Sequence, residues 1–230
     1  MELPYLALSF TVDPATRSIA GEAHHIVRAA APLDRLAFDL DPRFTIHCIS
    51  VDGHALRSSA WNNPDGLLTI TPPAPLMQGA EARVVIRWSG TPHIALNAPW
   101  DGGFVWSRAP ANTRGAASRG SPPHPAAGLR HVLALPRPCG QARRPAGPLR
   151  AGAGAAGAAG NGRLIGEEHA NGWATWRWRA RMPQSYGVTL QIGPYELAED
   201  SYASRHGNMS RSPSGTCPAT EPRPPGCSAS

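Results

Sequence analysis

The sequence predicts an all-β fold, a β-sandwich or a curved sheet, and three observations carry that prediction. Apolar and polar residues alternate over short runs in residues 1–90 and again in 161–202, the period of a half-buried strand. Turn signals such as Asp13-Pro14, Asp52-Gly53 and Asn171-Gly172 separate those runs, where a hairpin needs residues that tolerate reversed backbone. No stretch repeats its apolar residues at helical spacing.

The elements follow in order. Residues 5–12 alternate, Asp13-Pro14-Ala15-Thr16 punctuates them, and residues 19–28 resume the extended pattern, so a hairpin is expected. Strands are expected at 35–40 and 45–51, then a turn at Asp52-Gly53, then an extended run over 54–61. A short strand at 67–70 ends at Thr71-Pro72-Pro73-Ala74-Pro75, where the missing amide donors force the chain out of the sheet. The Val/Ile-rich run 82–88 returns to it. Beyond the middle of the chain, strands are expected at 163–168, 173–181, 186–192 and 195–202. Cys48, inside one of these runs, is expected to be a buried small hydrophobe.

Charge divides the chain differently. All 22 basic residues are arginine, and no Asp or Glu occurs between Gly102 and Gly166. Residues 1–101 hold 7 Arg and 10 acids, 102–166 hold 9 Arg and none, and 167–230 hold 6 of each, so the net charge of +6 originates in the middle. A uniformly basic chain would point to nucleic acid; a basic Pro/Gly/Ala-rich block between ordinary flanks does not. At 230 residues the flanks are long enough to bury a core. The first ten residues lack a basic and a long apolar region, and no apolar run reaches the length of a bilayer span. A cytoplasmic location with no membrane partner is expected.

Motifs of catalysis are missing from the sequence. It contains no H-E-x-x-H, no G-x-S-x-G and no phosphate-binding loop. Gly152-x-Gly154-x-x-Gly157 has dinucleotide spacing, but Arg143-Arg144-Pro145-Ala146-Gly147-Pro148 before it reads as no hydrophobic strand, so the run reads as low complexity. The four cysteines, at 48, 139, 217 and 227, show neither C-x-x-C nor His at ligand spacing. His24 and His25 are adjacent on one strand, point to opposite faces, and cannot share a metal. Trp173, Trp176, Arg177, Trp178 and Arg179 offer a stacking platform for single-stranded nucleic acid or a buried aromatic face with arginines outward. Packing is the commoner use of such a strand and is the reading adopted.

Two blocks carry a family likeness. Asn97-Ala98-Pro99-Trp100-Asp101-Gly102-Gly103-Phe104-Val105-Trp106-Ser107 is one; Tyr186-Gly187-Val188-Thr189-Leu190-Gln191-Ile192-Gly193-Pro194-Tyr195-Glu196-Leu197, with Asp200-Ser201-Tyr202 behind it, is the other. Together with the opening hairpin and the Asp39-Leu40 strand end, they resemble the N-terminal domain of zinc aminopeptidases of the aminopeptidase N and leukotriene hydrolase type. The likeness covers residues 5 to about 108 and 161–208. It implies a saddle-shaped, β-sandwich-like domain that packs on a thermolysin-like catalytic domain. In the intact family that second domain supplies H-E-x-x-H for zinc and G-x-M-E-N for the peptide's amino terminus. This sequence contains neither, so the resemblance implies no catalytic or metal-binding residue, and no cofactor, in this chain. Trp100, Phe104, Trp106 and Tyr195 are the candidates for a surviving interface, each also readable as a core aromatic.

The middle block then reads as out of frame. Stepping one base through GC-rich codons for residues 131–147 yields TCWPCLDHAGKPDGLQ, which restores family-like character; similar steps through 114–124 and 209–228 do the same. Four regions are therefore expected: 1–108 and 161–208 as the two parts of the β domain, 109–160 and 209–230 as aberrant segments. Residues 114–160 and the tail from 209 should be disordered or poorly packed, because nothing in them repays backbone ordering at roughly 1–2 kcal/mol per residue. Two central strands would then be missing and sheet edges exposed. The expected function is the inactive N-terminal β domain of a zinc aminopeptidase, truncated, with a catalytic domain in trans as partner if one exists. The alternative is a stand-alone β-sandwich module whose Arg-rich insert contacts an acidic partner or nucleic acid.

Overall fold

The structure, a computed structural model, describes residues 1–96, 103–108, 118–121, 135–136, 145–151, 157–180, 190–193, 196–203 and 209–216. Over these residues it is β throughout apart from one short 3-10 turn, Ser58–Ala60. The first half runs β1 (Glu2–Asp13), β2 (Ser18–Arg28), β3 (Leu36–Asp39), β4 (Thr45–Val51), β5 (His54–Ala55), β6 (Trp61–Asn62), β7 (Leu67–Ile70) and β8 (Glu81–Gly90). Then come β9 (Val105–Arg108), β10 (Ser118–Ser121), β11 (Leu135–Pro136), β12 (Pro145–Ala151) and β13 (Gly157–Ala159). The last are β14 (Arg163–Ala170), β15 (Trp173–Arg179), β16 (Gln191–Gly193), β17 (Glu196–Ala203) and β18 (Met209–Thr216).

Turn chemistry sets the hairpins. Asp13 closes the β1–β2 loop by accepting the Ala15 amide at 2.9 Å and the Thr16 hydroxyl at 2.8 Å, the Asx geometry that competes with strand continuation. Asp52 and Gly53 both take positive φ, 51° and 83°, as do Asn171 and Gly172 at 52° and 76°. These are the two-residue reversals whose twist matches the flanking strands.

Eight strands form one sheet in the order β14-β15-β12-β1-β2-β8-β4-β5, and four form a second, β11-β3-β7-β6. The core lies between them. The inner face of the large sheet contributes Leu6, Phe10, Ile19, Ala23, Val27, Val84, Ile86, Trp88 and Ile49; the small sheet contributes Leu36, Phe38, Leu68 and Ile70, all buried. Burying such side chains contributes about 1.5–3 kcal/mol each before ordering entropy is subtracted. The buried ring of His25 meets Phe38 with centroids 4.9 Å apart, joining β2 to β3 across the layers. His24, its neighbour, turns to the opposite face with 41% of its side chain exposed, as strand alternation requires.

The alternating strand 173–179 behaves as packing predicts. Ala174 and Trp176 are buried, Trp178 packs partly buried against the core, and Arg177 and Arg179 are exposed. The structural reading therefore holds for Trp176 and Trp178, whereas Trp173 falls on the opposite face and is half-buried. Three sequence expectations need correction. Cys48 is half-buried rather than buried, because the pairing of β4 with β8 slips between Ile46 and Cys48 and shifts the alternation. The run 54–61 is broken into β5, the 3-10 turn and β6 rather than one extended stretch.

The third correction concerns the sheet edge. Instead of an empty place beside β1, β12 fills it, pairing parallel to β1 and antiparallel to β15. Its register aligns Leu149 with Phe10 on one side and Trp176 on the other, both buried. Pro145 and Pro148 withhold two amide donors, so this ladder is weaker than its neighbours. In the tail, Met209–Thr216 pairs antiparallel with Glu196–Ala203.

Candidate functional site

Residues 103–107, the described part of the block that carries the family likeness, lie beside the chain that leaves the large sheet after β8. Beyond Gly90 the chain folds back on itself through two short hydrogen bonds: Phe104 donates its amide to the His93 carbonyl at 2.6 Å, and Ala95 donates to the Phe104 carbonyl at 3.0 Å. An isolated parallel bridge, Ile94 to Phe104, results. Gly103 makes the approach possible. Its φ is +96°, and a Cβ there would lie 2.6 Å from the His93 carbonyl oxygen, so any other residue is excluded by strain and by contact.

An aromatic pair follows. Phe104 is 3% exposed, and its ring stacks on Trp106 with centroids 5.7 Å apart and planes 21° from parallel. Trp106 is partly buried against the core, and its Nε1 is covered without a hydrogen-bond partner among the described residues. Ile94, by contrast, is 42% exposed.

Below this segment a buried carboxylate anchors the neighbouring turn. Asp41, with 4% of its side chain exposed, accepts the Arg43 amide at 3.0 Å, Nε at 2.9 Å and a terminal guanidinium nitrogen at 2.8 Å. Burial opposes its ionisation, but the Arg43 hydrogen bonds and charge, with a smaller contribution from His93, outweigh it and hold the carboxyl below its ordinary range. Asp41 thus closes the 41–44 turn on itself. Sequence reasoning missed this clasp; its signal was Asp41-Pro42-Arg43, an acid and a base bracketing a turn-forming proline.

Of the four interface candidates, the structure brings Phe104 and Trp106 together; Trp100 and Tyr195 lie outside the described residues. Phe104 is a core residue, so Trp106 and the exposed Ile94 and Leu96 are what this segment presents. No nucleophile is paired with a base here, and among the described residues no three His, Cys, Asp or Glu side chains gather where a metal ion could bind.

Comparison with solved structures places the fold. The M1 zinc metallopeptidase of Deinococcus radiodurans superposes on 98% of this chain with a TM-score of 0.72 at 21% identity, over 50% of its own length. The fold is that of about half of an M1 metallopeptidase. A mutant of the same M1 enzyme with a bound Tyr-ser-ala substrate matches at TM-score 0.71 and 21% identity, again over 98% of this chain and 50% of that one. Aminopeptidase A of Legionella pneumophila, in complex with aspartic acid, gives 0.67 and 16% identity over 94% of this chain and 24% of its own. The chain thus spans about half the length of the Deinococcus M1 structures and a quarter of the Legionella one. No family profile and no curated protein sequence matches it. The M1 likeness agrees with the all-β fold class read from the sequence, and no helix among the described residues is long and apolar enough to cross a membrane.

Proposed function

We propose that this chain is the N-terminal β domain of an M1-type zinc aminopeptidase, without peptidase activity of its own. The observation that supports the reading most directly is the near-complete superposition of this chain on half of an M1 metallopeptidase. The likeness of residues 97–107 and 186–197 to the family's N-terminal blocks agrees with it. In such an enzyme zinc and the residues that hold it belong to the other half, and the domain's work is mechanical: it packs on that half and helps shape the approach to it. Trp106, Ile94 and Leu96 are contact groups that this segment offers. A catalytic domain of the same family, where one is present in trans, is the partner that fits this reading, in a cytoplasmic setting, and frameshifts in 109–160 and beyond 209 are the proposed origin of the aberrant segments.

Purified chain incubated with aminoacyl-p-nitroanilides and added zinc should release no nitroaniline above the protein-free rate. Zinc-dependent turnover abolished by a chelator would overturn the reading. The nucleotide sequence across codons 107–230, translated in three forward frames, tests the proposed origin separately: family-like blocks in the alternative frames support it, and noise in both rejects it.

A further inference from the structure

The large sheet turns its second face outward, and there β1, β2 and β8 align three cross-strand rows: Tyr5, Ile26 and Arg83; Ala7, His24 and Val85; Ser9, Glu22 and Arg87. A groove of about 470 Å³ opens over them, lined by Tyr5, Ala7, Ser9, His24, Ile26 and Arg83. Small side chains at 7 and 9 leave the space. The size is that of a small-ligand site.

On β2 and β8 the outward-facing charges are paired, with one exception among the described residues. Arg87 pairs with Glu22 at 2.7 Å, and Glu22 also takes His24. Arg28 pairs with Glu81 at 2.5 Å and lies 3.8 Å from Glu2. Arg83 is different. The residue beside it is Ile26, where the corresponding place beside Arg87 is held by Glu22. Asp52 accepts only the Arg83 backbone amide, at 2.7 Å, and the guanidinium makes no ion pair with any described residue.

We propose that this groove binds the C-terminal carboxylate of a short extended peptide, with the carboxylate on Arg83 and an apolar last side chain against Tyr5 and Ile26. A guanidinium fork matches a carboxylate in geometry as well as charge. Further along the groove the Tyr5 and Ser9 hydroxyls and the His24 ring offer hydrogen bonds to peptide groups. Alternate residues of a strand are about 7 Å apart, so three rows cover about 14 Å, the reach of about four extended residues. An inorganic anion would leave Tyr5 and Ile26 unused, and a fatty acid would lay its tail over polar groups; a peptide end uses both. This binding site stands on the groove alone and does not depend on the peptidase reading.

The test is titration of the full chain with an N-acetylated Ala-Ser-Ala-Leu peptide bearing a free carboxylate, followed by calorimetry. Saturable binding is expected, weakened at least tenfold when the peptide ends in an amide and at least tenfold by Arg83→Gln. Arg35→Gln, which removes an exposed guanidinium elsewhere, should leave affinity within twofold. Circular dichroism confirms that both variants fold. Equal binding of acid and amide, indifference to Arg83→Gln, lack of saturation, or displacement by acetate at the peptide's own concentration would each overturn the proposal.

Discussion

Gly21 lies face to face with the indole of Trp88. The two are direct partners across β2 and β8, and a Cβ at position 21 would sit 2.4 Å from Trp88 Cζ2 and 2.5 Å from Cε2. The missing side chain lets the indole extend over β2 to meet Phe10 edge-on, centroids 6.2 Å apart. Gly21→Ala should therefore destabilise by about 1–3 kcal/mol through overpacking, and Trp88→Ala by about 3–5 kcal/mol through cavity formation. Because the two share one space, the double variant should cost less than the sum, a coupling that urea titration can measure. Additive losses would mean that the glycine and the indole do not compete.

Gly103→Ala tests the fold-back that carries the aromatic ledge. The positive φ alone costs an alanine about 1–2 kcal/mol, and the His93 carbonyl at 2.6 Å from the new Cβ adds to it. Loss of the Phe104–His93 hydrogen bond should expose Trp106. A red shift of tryptophan emission with a lower Tm is the expected outcome; an unchanged spectrum would show that the segment is not held this way.

Two depressed carboxylates give the stability a pH dependence of known sign. Partial burial opposes ionisation of Glu22, but hydrogen bonds from Arg87 and His24, and their charges, outweigh it; Asp41 is held down by Arg43 against its own burial. A group whose folded pKa lies below its unfolded value contributes stability above that unfolded value, near 4.5 for Glu22 and 3.8 for Asp41, and loses it as pH falls through the folded value. Tm should thus decline on acidification below about pH 5. Arg87→Gln should flatten part of that decline by returning Glu22 toward its ordinary range. Asp41→Asn should flatten another part and lower stability at neutral pH by about 1–2 kcal/mol, the worth of charge-assisted bonds to a half-exposed arginine.

Trp176→Ala probes whether the second flank belongs to the same core as the first. Trp176 is 2% exposed and its truncation should cost about 3–5 kcal/mol. Ile165→Ala, on the edge strand β14 where that side chain is 48% exposed, should stay within about 0.5 kcal/mol. Thermal melts of the two variants compare them directly, and similar losses would contradict the assignment of Trp176 to the core.

Where strand alternation met a strong turn, the sequence could be read to the residue. The bounds of β4 and β7 coincide with their expected runs because Asp52-Gly53 and Thr71-Pro72 end them. Cys48 could not be read, since the slip beside Ile46 comes from pairing with β8 and leaves no mark in composition. Gly21 reads in sequence as a weak place in a strand, and only the partner strand reveals it as room for Trp88. The site was legible in part for the same reason. Residues 97–107 stood out as a block, and Asp41-Pro42-Arg43 carried a local signal for its clasp, but the approach of Gly103 to His93 joins positions that no local pattern connects. Strand β12 was illegible because its prolines and arginine-rich surroundings carry no strand signal, and its place depends on the open side of β1.

The parallel pairing of β12 with β1 has a consequence for synthesis. Strands β1, β2, β4 and β8 all emerge within the first ninety residues, yet the strand that shelters the far side of β1 ends at Ala151, well over a hundred residues after β1 is complete. At translation speeds of about 5–20 residues per second, that flank stands open for roughly 7–28 seconds. During that interval the nascent chain carries a raw, hydrogen-bonding border, which makes it a client for chaperones before it is a finished domain.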